Sequence, residues 1–381
     1  MEEYRMGVYI NPGNRLFRMS ANTDTYGDKS MLLAFTNSRI DTDRRFICVS
    51  KPRKFGKSAD AAMMAAYYSC GCASRELFTG LKIAGDPSYK EHLNKYNAVF
   101  LNMQDFFMSG TTVSNAIKKL NTHLCIELKQ EYPDVHFVDD NNFILMMCYV
   151  CQATGKPFVF VVDEWDCVIR DSGRSEDQKM IYLSMVRRLF TDSEFISLVY
   201  MTGVLPIKKY KESDCSLDMF DEISIVNPYP LEQFMGFTEE EVKALCERFG
   251  KSYDDIRMWF EGYSVNGHTA YNPMSVAVAM KKSCLEPVWA GSGAMYALAD
   301  YIGSTAEGLQ KAVINLLRGI PRHVDTAKFN SDLEKLTSAD QVLAALVYLG
   351  YLTYDNGEVR IPNYEMYQCF VECIMFIIGE S

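Results

Sequence analysis

The segment Phe158-Val-Phe-Val-Val-Asp163 is the strongest constraint on how this chain folds. It is continuous, apolar and rich in β-branched and aromatic residues, and Gly155-Lys-Pro157 punctuates its start. A strand with no polar face belongs in a parallel sheet covered on both sides. Arg45-Phe-Ile-Cys-Val-Ser50, the run from Ala98 to Met103 and the run from Ile196 to Thr202 repeat this signature. Helical patterns at 58–68, 111–131, 141–153 and 175–190 alternate with them. Such alternation predicts an α/β domain with a parallel sheet over 41–226. Residues 1–40 are a polar, turn-rich N-terminal segment.

After Asn227-Pro-Tyr-Pro230 the pattern changes. Thr238, followed by three glutamates, opens a helix with an N-cap and an acidic first turn. Mostly helical segments then predict a helical domain over 227–320. Farther on, a helix over 340–349 precedes two alternating runs joined by Asn356-Gly357, a strong hairpin signal. A helix followed by a hairpin suggests a winged-helix-like module over 321–381.

Of the 381 residues, 48% are apolar and 23% charged, which excludes wholesale disorder. The net charge of −10 argues against a protein that coats nucleic acid. The longest uncharged apolar run, Phe143 to Cys151, is about half of what a bilayer span needs. The acidic start Met1-Glu-Glu-Tyr4 does not read as a signal peptide, so the expected location is the cytoplasm, with the twelve cysteines reduced. Cys148-Tyr-Val-Cys151 has metal-like spacing, but no second pair follows at finger distance and the stretch reads as helix. Core packing is its expected role. No HExxH occurs among the scattered histidines.

Between the first strand and its helix lies Ser50-Lys-Pro-Arg-Lys-Phe-Gly-Lys-Ser58. A helix N-terminus offers free N–H groups and a positive dipole end to a polyphosphate. The candidate nucleotide-binding residues are Pro52, Arg53, Lys54, Phe55, Gly56, Lys57 and Ser58. Gly56 lets the backbone approach, Lys57 reaches the β- and γ-phosphates, and Ser58 offers Mg²⁺ a hydroxyl. The pattern GxxxxGK[ST] asks for glycine where Lys51 stands. At the end of the clearest strand, Asp163 is the second candidate metal ligand and Glu164 the candidate base that polarises water. Thr202, in Tyr200-Met-Thr-Gly-Val204, is a third candidate catalytic residue, placed to sense the γ-phosphate. Arg170, Arg174, Arg187 and Arg188 are candidates for an arginine finger, although a solvated basic face is the commoner explanation.

Together these residues resemble the bacterial AAA-ATPase-like proteins. In that family a Tyr-Val-Asp-Lys-Thr segment precedes an Arg-Pro-Arg-Arg-Phe-Gly-Lys-Ser/Thr loop, an Asp-Glu-Tyr-Asp motif and a Leu-Thr-Gly strand. This chain has Tyr26-Gly-Asp-Lys-Ser30, Lys51 to Ser58, Asp163-Glu-Trp-Asp166 and Met201-Thr-Gly203. Further matches are Gly262-Tyr263, Tyr271-Asn-Pro-Met-Ser275 and Tyr351-Leu-Thr-Tyr354. The resemblance accounts for Lys51, because the family carries a basic residue there. It implies an ATPase that binds ATP or ADP with Mg²⁺, and adenine contacts near Tyr26, Asp28 and Lys29. Family members commonly continue into a PD-(D/E)xK nuclease-like domain. The Glu-x-Lys triplets near a plausible site, such as Glu127-Leu-Lys129, fall in a predicted helix, so no nuclease activity is expected.

The leading expectation is therefore Mg²⁺-dependent ATP binding with slow, partner-stimulated hydrolysis that works a conformational switch. Its partner would be another protein or a second copy. The alternatives are a nucleotide-holding interaction module without turnover, or a DNA-associated protein acting through the winged-helix-like end. Residues 301–381 carry six Lys/Arg and ten Asp/Glu, the wrong sign for DNA. The clusters Lys208-Lys-Tyr-Lys211 and Lys281-Lys282 read as solvated surface.

Overall fold

The computed structural model describes residues 7–108, 110–191, 194–207, 215–289, 293–304, 306–331 and 333–380. The Lys208–Lys211 cluster lies outside them. Two compact units emerge: one of residues 1–49, 57–203 and 207–222, the other of 50–56, 204–206 and 223–381.

Five strands form the main sheet: β1 (Phe46–Ser50), β2 (Asn97–Asn102), β3 (Phe158–Asp163), β4 (Ile196–Gly203) and β5 (Asp221–Ser224), in the order β2-β3-β4-β1-β5. β2, β3 and β4 are parallel, with Val99 opposite Phe160 and Phe160 opposite Val199. The Arg45 carbonyl accepts from the Val199 amide and the Val49 carbonyl from the Thr202 hydroxyl, so β1 runs the same way as β4. Every residue of β1, β3 and β4 is buried, the polar Ser50, Asp163, Ser197 and Thr202 included, as in a sheet covered on both faces. The carboxyl ends of these strands share one edge, with β4 between β1 and β3.

The helix Lys57–Tyr68 is buried along most of its length, from Asp60 through Tyr68. Ala61, Ala62, Ala65 and Ala66 make this possible: they favour helix and keep its girth small. The helix Glu176–Phe190 opens with a capping box between Ser175 and Gln178.

In the second unit, helices Glu239–Phe249, Tyr253–Phe260 and Pro273–Lys281 pack around Val242, Ile256, Phe260, Tyr271 and Val276. Thr238 and Glu241 form the capping box of the first. This region is not wholly helical. β6 (Glu261–Val265) and β7 (His268–Tyr271) form an antiparallel hairpin whose turn residues Asn266 and Gly267 have φ of 51° and 81°. That is the Asn-Gly turn chemistry also expected, and found, at Asn356-Gly357. There β8 (Arg322–His323), β9 (Thr353–Asp355) and β10 (Glu358–Arg360) form a sheet in the order β8-β10-β9. The helix Ala339–Leu349, closed by Gly350 at φ 93°, precedes β9. Among the described residues no helix is long and apolar enough to cross a membrane.

Candidate functional site

The loop after β1 ends at Gly56, whose φ of 84° suits glycine. Among the described residues nothing lies within 4 Å of where its Cβ would be, so the backbone there is open to a ligand. Lys57 and Ser58 are the first two residues of the helix that follows. Ser58 is exposed, whereas Lys57 is only 6% exposed.

β3 delivers Asp163, which is 1% exposed and accepts from the Glu164 amide at 3.0 Å. Glu164 adopts φ 53°, a left-handed conformation unusual for a non-glycine residue and frequent at functional turns. The Ser58 side chain is close enough to the Asp163 carboxylate to favour its charged form. Burial pushes the Asp163 carboxyl up to about 6, while Ser58 and Lys57 pull it down. Burial likewise pulls the Lys57 ammonium below the ordinary lysine range, and Glu164, Asp166 and Asp163 oppose the shift.

The fold thus brings Lys57, Ser58, Asp163 and Glu164 together. Thr202 enters differently. It is fully buried, and its hydroxyl donates to the Val49 carbonyl at 2.9 Å, while its own carbonyl accepts from the Trp165 amide at 3.1 Å. Thr202 therefore staples the end of β4 to β1 and to the turn after β3.

Arg170 departs from its expected solvated face. Its guanidinium pairs with Glu164 and, at 2.9 Å, with the fully buried Asp166 four residues earlier on the same turn. Arg174 is buried too, and donates to the carbonyls of Phe107, Met108 and Thr111 and to Asp171. Arg187 donates to the Ser216 carbonyl, and Arg188 is exposed. Gly203 has a part that motif reading missed. A Cβ there would sit 2.7 Å from Asp166 Oδ1 and from the Trp165 ring. The buried Tyr200 hydroxyl also escaped notice; it makes no hydrogen bond among the described residues, and Asp60 and Asp163 are the charges acting on it.

Asp28 accepts from the amides of Ser30 and Lys82, so its carboxylate organises the N-terminal loops. The Tyr26 ring meets Phe17 edge-on at 6.2 Å, and the Lys29 carbonyl receives the amide of Leu32 at the start of the next helix. In the loop itself Pro52 and Phe55 are buried, Lys54 lies over Trp289, and the Arg53 charge acts on Tyr351.

Lys57 and Arg170 face three carboxylates, which leaves room for further positive charge. A serine hydroxyl and an aspartate carboxylate are hard oxygen donors of the kind Mg²⁺ takes. Among the described residues no group of three or more His, Cys, Asp or Glu could hold a metal unaided.

The profile of the predicted AAA-ATPase family matches residues 17–211. A protein from the vnfD 5′ region of Azotobacter chroococcum is 28% identical over 156 residues, 39% of this chain and 30% of that protein. The chain thus spans less than a third of that relative's length. Among solved structures, a Walker-type ATPase of Pyrococcus abyssi is 10% identical, with a TM-score of 0.44 over 90% of this chain and 94% of that one. A signal transduction ATPase with a tetratricopeptide repeat sensor from Pyrococcus horikoshii is 10% identical, with a TM-score of 0.35 over 94% and 46%. These are loose likenesses.

Proposed function

The chain belongs to the predicted AAA-ATPase family, and from that footing we propose that it binds Mg·ATP at the start of the Lys57–Tyr68 helix and hydrolyses it slowly. The observation that carries this reading is the cluster of Lys57, Ser58, Asp163 and Glu164 at the carboxyl edge of the sheet. Membership supports nucleotide binding and an ATPase fold in general terms; the roles below are this proposal's own.

The amides at Gly56 and the helix N-terminus receive phosphate oxygens. Lys57, already desolvated, meets an anion without first losing a water shell. Ser58 and Asp163 hold Mg²⁺, which when bound neutralises charge on the phosphates. Glu164 orients the attacking water and takes its proton. Arg170 holds Glu164, so that carboxylate must loosen from the guanidinium to act as a base. A site whose base is already paired turns over slowly until that pair is disturbed, which supports stimulation by a partner or a second copy. Thr202 keeps β1, β4 and the Trp165 turn in register.

Nucleotide contacts from Tyr26, Asp28 and Lys29 remain part of the proposal. So do the four-part division at residues 40, 226 and 320 and the winged-helix-like character of the last part. The helix Ala339–Leu349 and the β9–β10 hairpin support the last of these.

Calorimetric titration of Mg·ATP into wild type and Lys57→Ala tests the reading. Wild type should bind, and the variant should lose at least about tenfold in affinity, the scale of one charge-assisted phosphate contact. Equal affinity would sink it.

A further inference from the structure

The side chains of the loop between β1 and the Lys57–Tyr68 helix are held one by one inside the second unit. Lys51 is 1% exposed, and its ammonium donates to the Phe234 carbonyl at 2.6 Å. Pro52 lies against Gly350, where an added Cβ would be 2.8 Å from the proline Cβ. The Phe55 ring meets Tyr263 edge-on at 5.0 Å. The Tyr263 hydroxyl donates to the Gly350 carbonyl at 2.8 Å, which ties the supports of Phe55 and Pro52 together.

Lys54 is the unexpected member. Its φ is 68°, a conformation that glycine takes freely and that strains a residue with a Cβ. Its ammonium lies 4.8 Å from the centroid of the fully buried Trp289 ring. The Val288 amide, next to Trp289, donates at 2.7 Å to Glu365, which is 1% exposed. Burial pulls the Lys54 ammonium below the ordinary lysine range, and Glu365 is first among the charges that oppose this. Backbone conformation alone would favour glycine at 54, and the lysine there brings a cation to the Trp289 ring.

We infer that Lys54 is a positioning residue for the phosphate loop, and that Trp289 and Glu365 form its receptor. The inference rests on the proposed reading of this loop as nucleotide-binding. A cation fixed over an indole, whose neighbouring Val288 amide is held by the buried Glu365 carboxylate, holds the loop in its open turn before a ligand arrives. The ordering cost of binding falls accordingly. The same tether makes Trp289 and Glu365 the first residues outside the loop to respond when phosphate shifts it.

The test compares Lys54→Gly, Lys54→Arg, Glu365→Gln and the Lys54→Gly/Glu365→Gln double variant. Two quantities are read: Mg·ATP affinity, and amide hydrogen exchange of loop residues 53–56 in nucleotide-free full-length protein. Lys54→Gly and Glu365→Gln should each weaken binding about five- to tenfold and speed loop exchange. Lys54→Arg should preserve both, because a guanidinium also stacks on indole. The double variant should be no worse than the weaker single one, since both break one interaction. If Lys54→Gly matches or betters wild type with unchanged exchange, position 54 needs only its backbone angle and the inference is wrong. Additive losses in the double variant would also overturn it. Lys57→Ala separates the premise: if it binds like wild type, the nucleotide reading fails, while loop exchange still decides the tether.

Discussion

Lys51 stands where GxxxxGK[ST] has its first glycine, and its buried ammonium donates to the Phe234 carbonyl at 2.6 Å. Restoring the motif should therefore harm the protein. Lys51→Gly is expected to lose about 2 kcal/mol in urea unfolding, the scale of a hydrogen bond to a charged group. Lys51→Arg should lose less. A Lys51→Gly variant as stable as wild type would show that the contact contributes nothing.

Arg170 offers a second test. It compensates both Glu164 and the fully buried Asp166. Removing one partner of a buried pair leaves the other charge stranded, so Arg170→Ala should cost about 3 kcal/mol. Arg170→Met combined with Asp166→Asn should recover part of that loss, because no buried charge is left unpaired against Asp166. Equal losses in the two variants would argue against the pairing as the cause.

The two residues also show where reading the sequence stopped. Asp166 and Arg170 are four apart, spacing that places them on one face of a helical turn, yet a lone arginine after a strand reads as surface. The strands were legible because β1, β3 and β4 are mostly apolar, with polar residues chiefly at their ends. Lys57, Ser58 and Asp163 stood out in the sequence because their types and order match the pattern expected of a phosphate site, and the fold brings them to one end of the sheet. The β6–β7 hairpin was missed although Asn266-Gly267 carries the same signal as Asn356-Gly357, since flanking helices dominated the reading. Gly203 and the Lys54–Trp289 contact join residues remote in sequence, and no local pattern encodes them.

Gly203 leads to a packing prediction. Gly203→Ala would drive a methyl group to within 2.7 Å of Asp166 and Trp165, so it should lose about 1–3 kcal/mol. Gly80→Ala, where nothing lies within 4 Å among the described residues, is the control and should change stability by under about 0.5 kcal/mol. Similar losses at both positions would contradict the steric account.

His92 supplies a pH dependence. It is buried, its Nδ1 is 2.7 Å from the Tyr96 hydroxyl, and burial pulls its pKa below the ordinary histidine value. The folded state therefore prefers the neutral ring. That preference costs nothing above the unfolded histidine pKa and lowers stability as pH falls through it. Urea midpoints of wild type should drop more than those of His92→Gln between about pH 7.5 and 5. Parallel curves would show that His92 does not contribute.

The most direct test of the central claim is single-turnover and steady-state Mg·ATP hydrolysis by wild type, Lys57→Ala and Glu164→Gln. The account predicts slow turnover by wild type. It predicts lost nucleotide affinity in Lys57→Ala, and near-normal affinity with turnover reduced at least about a hundredfold in Glu164→Gln, the scale of a general base. Wild-type turnover in both variants would contradict the assignment of the site.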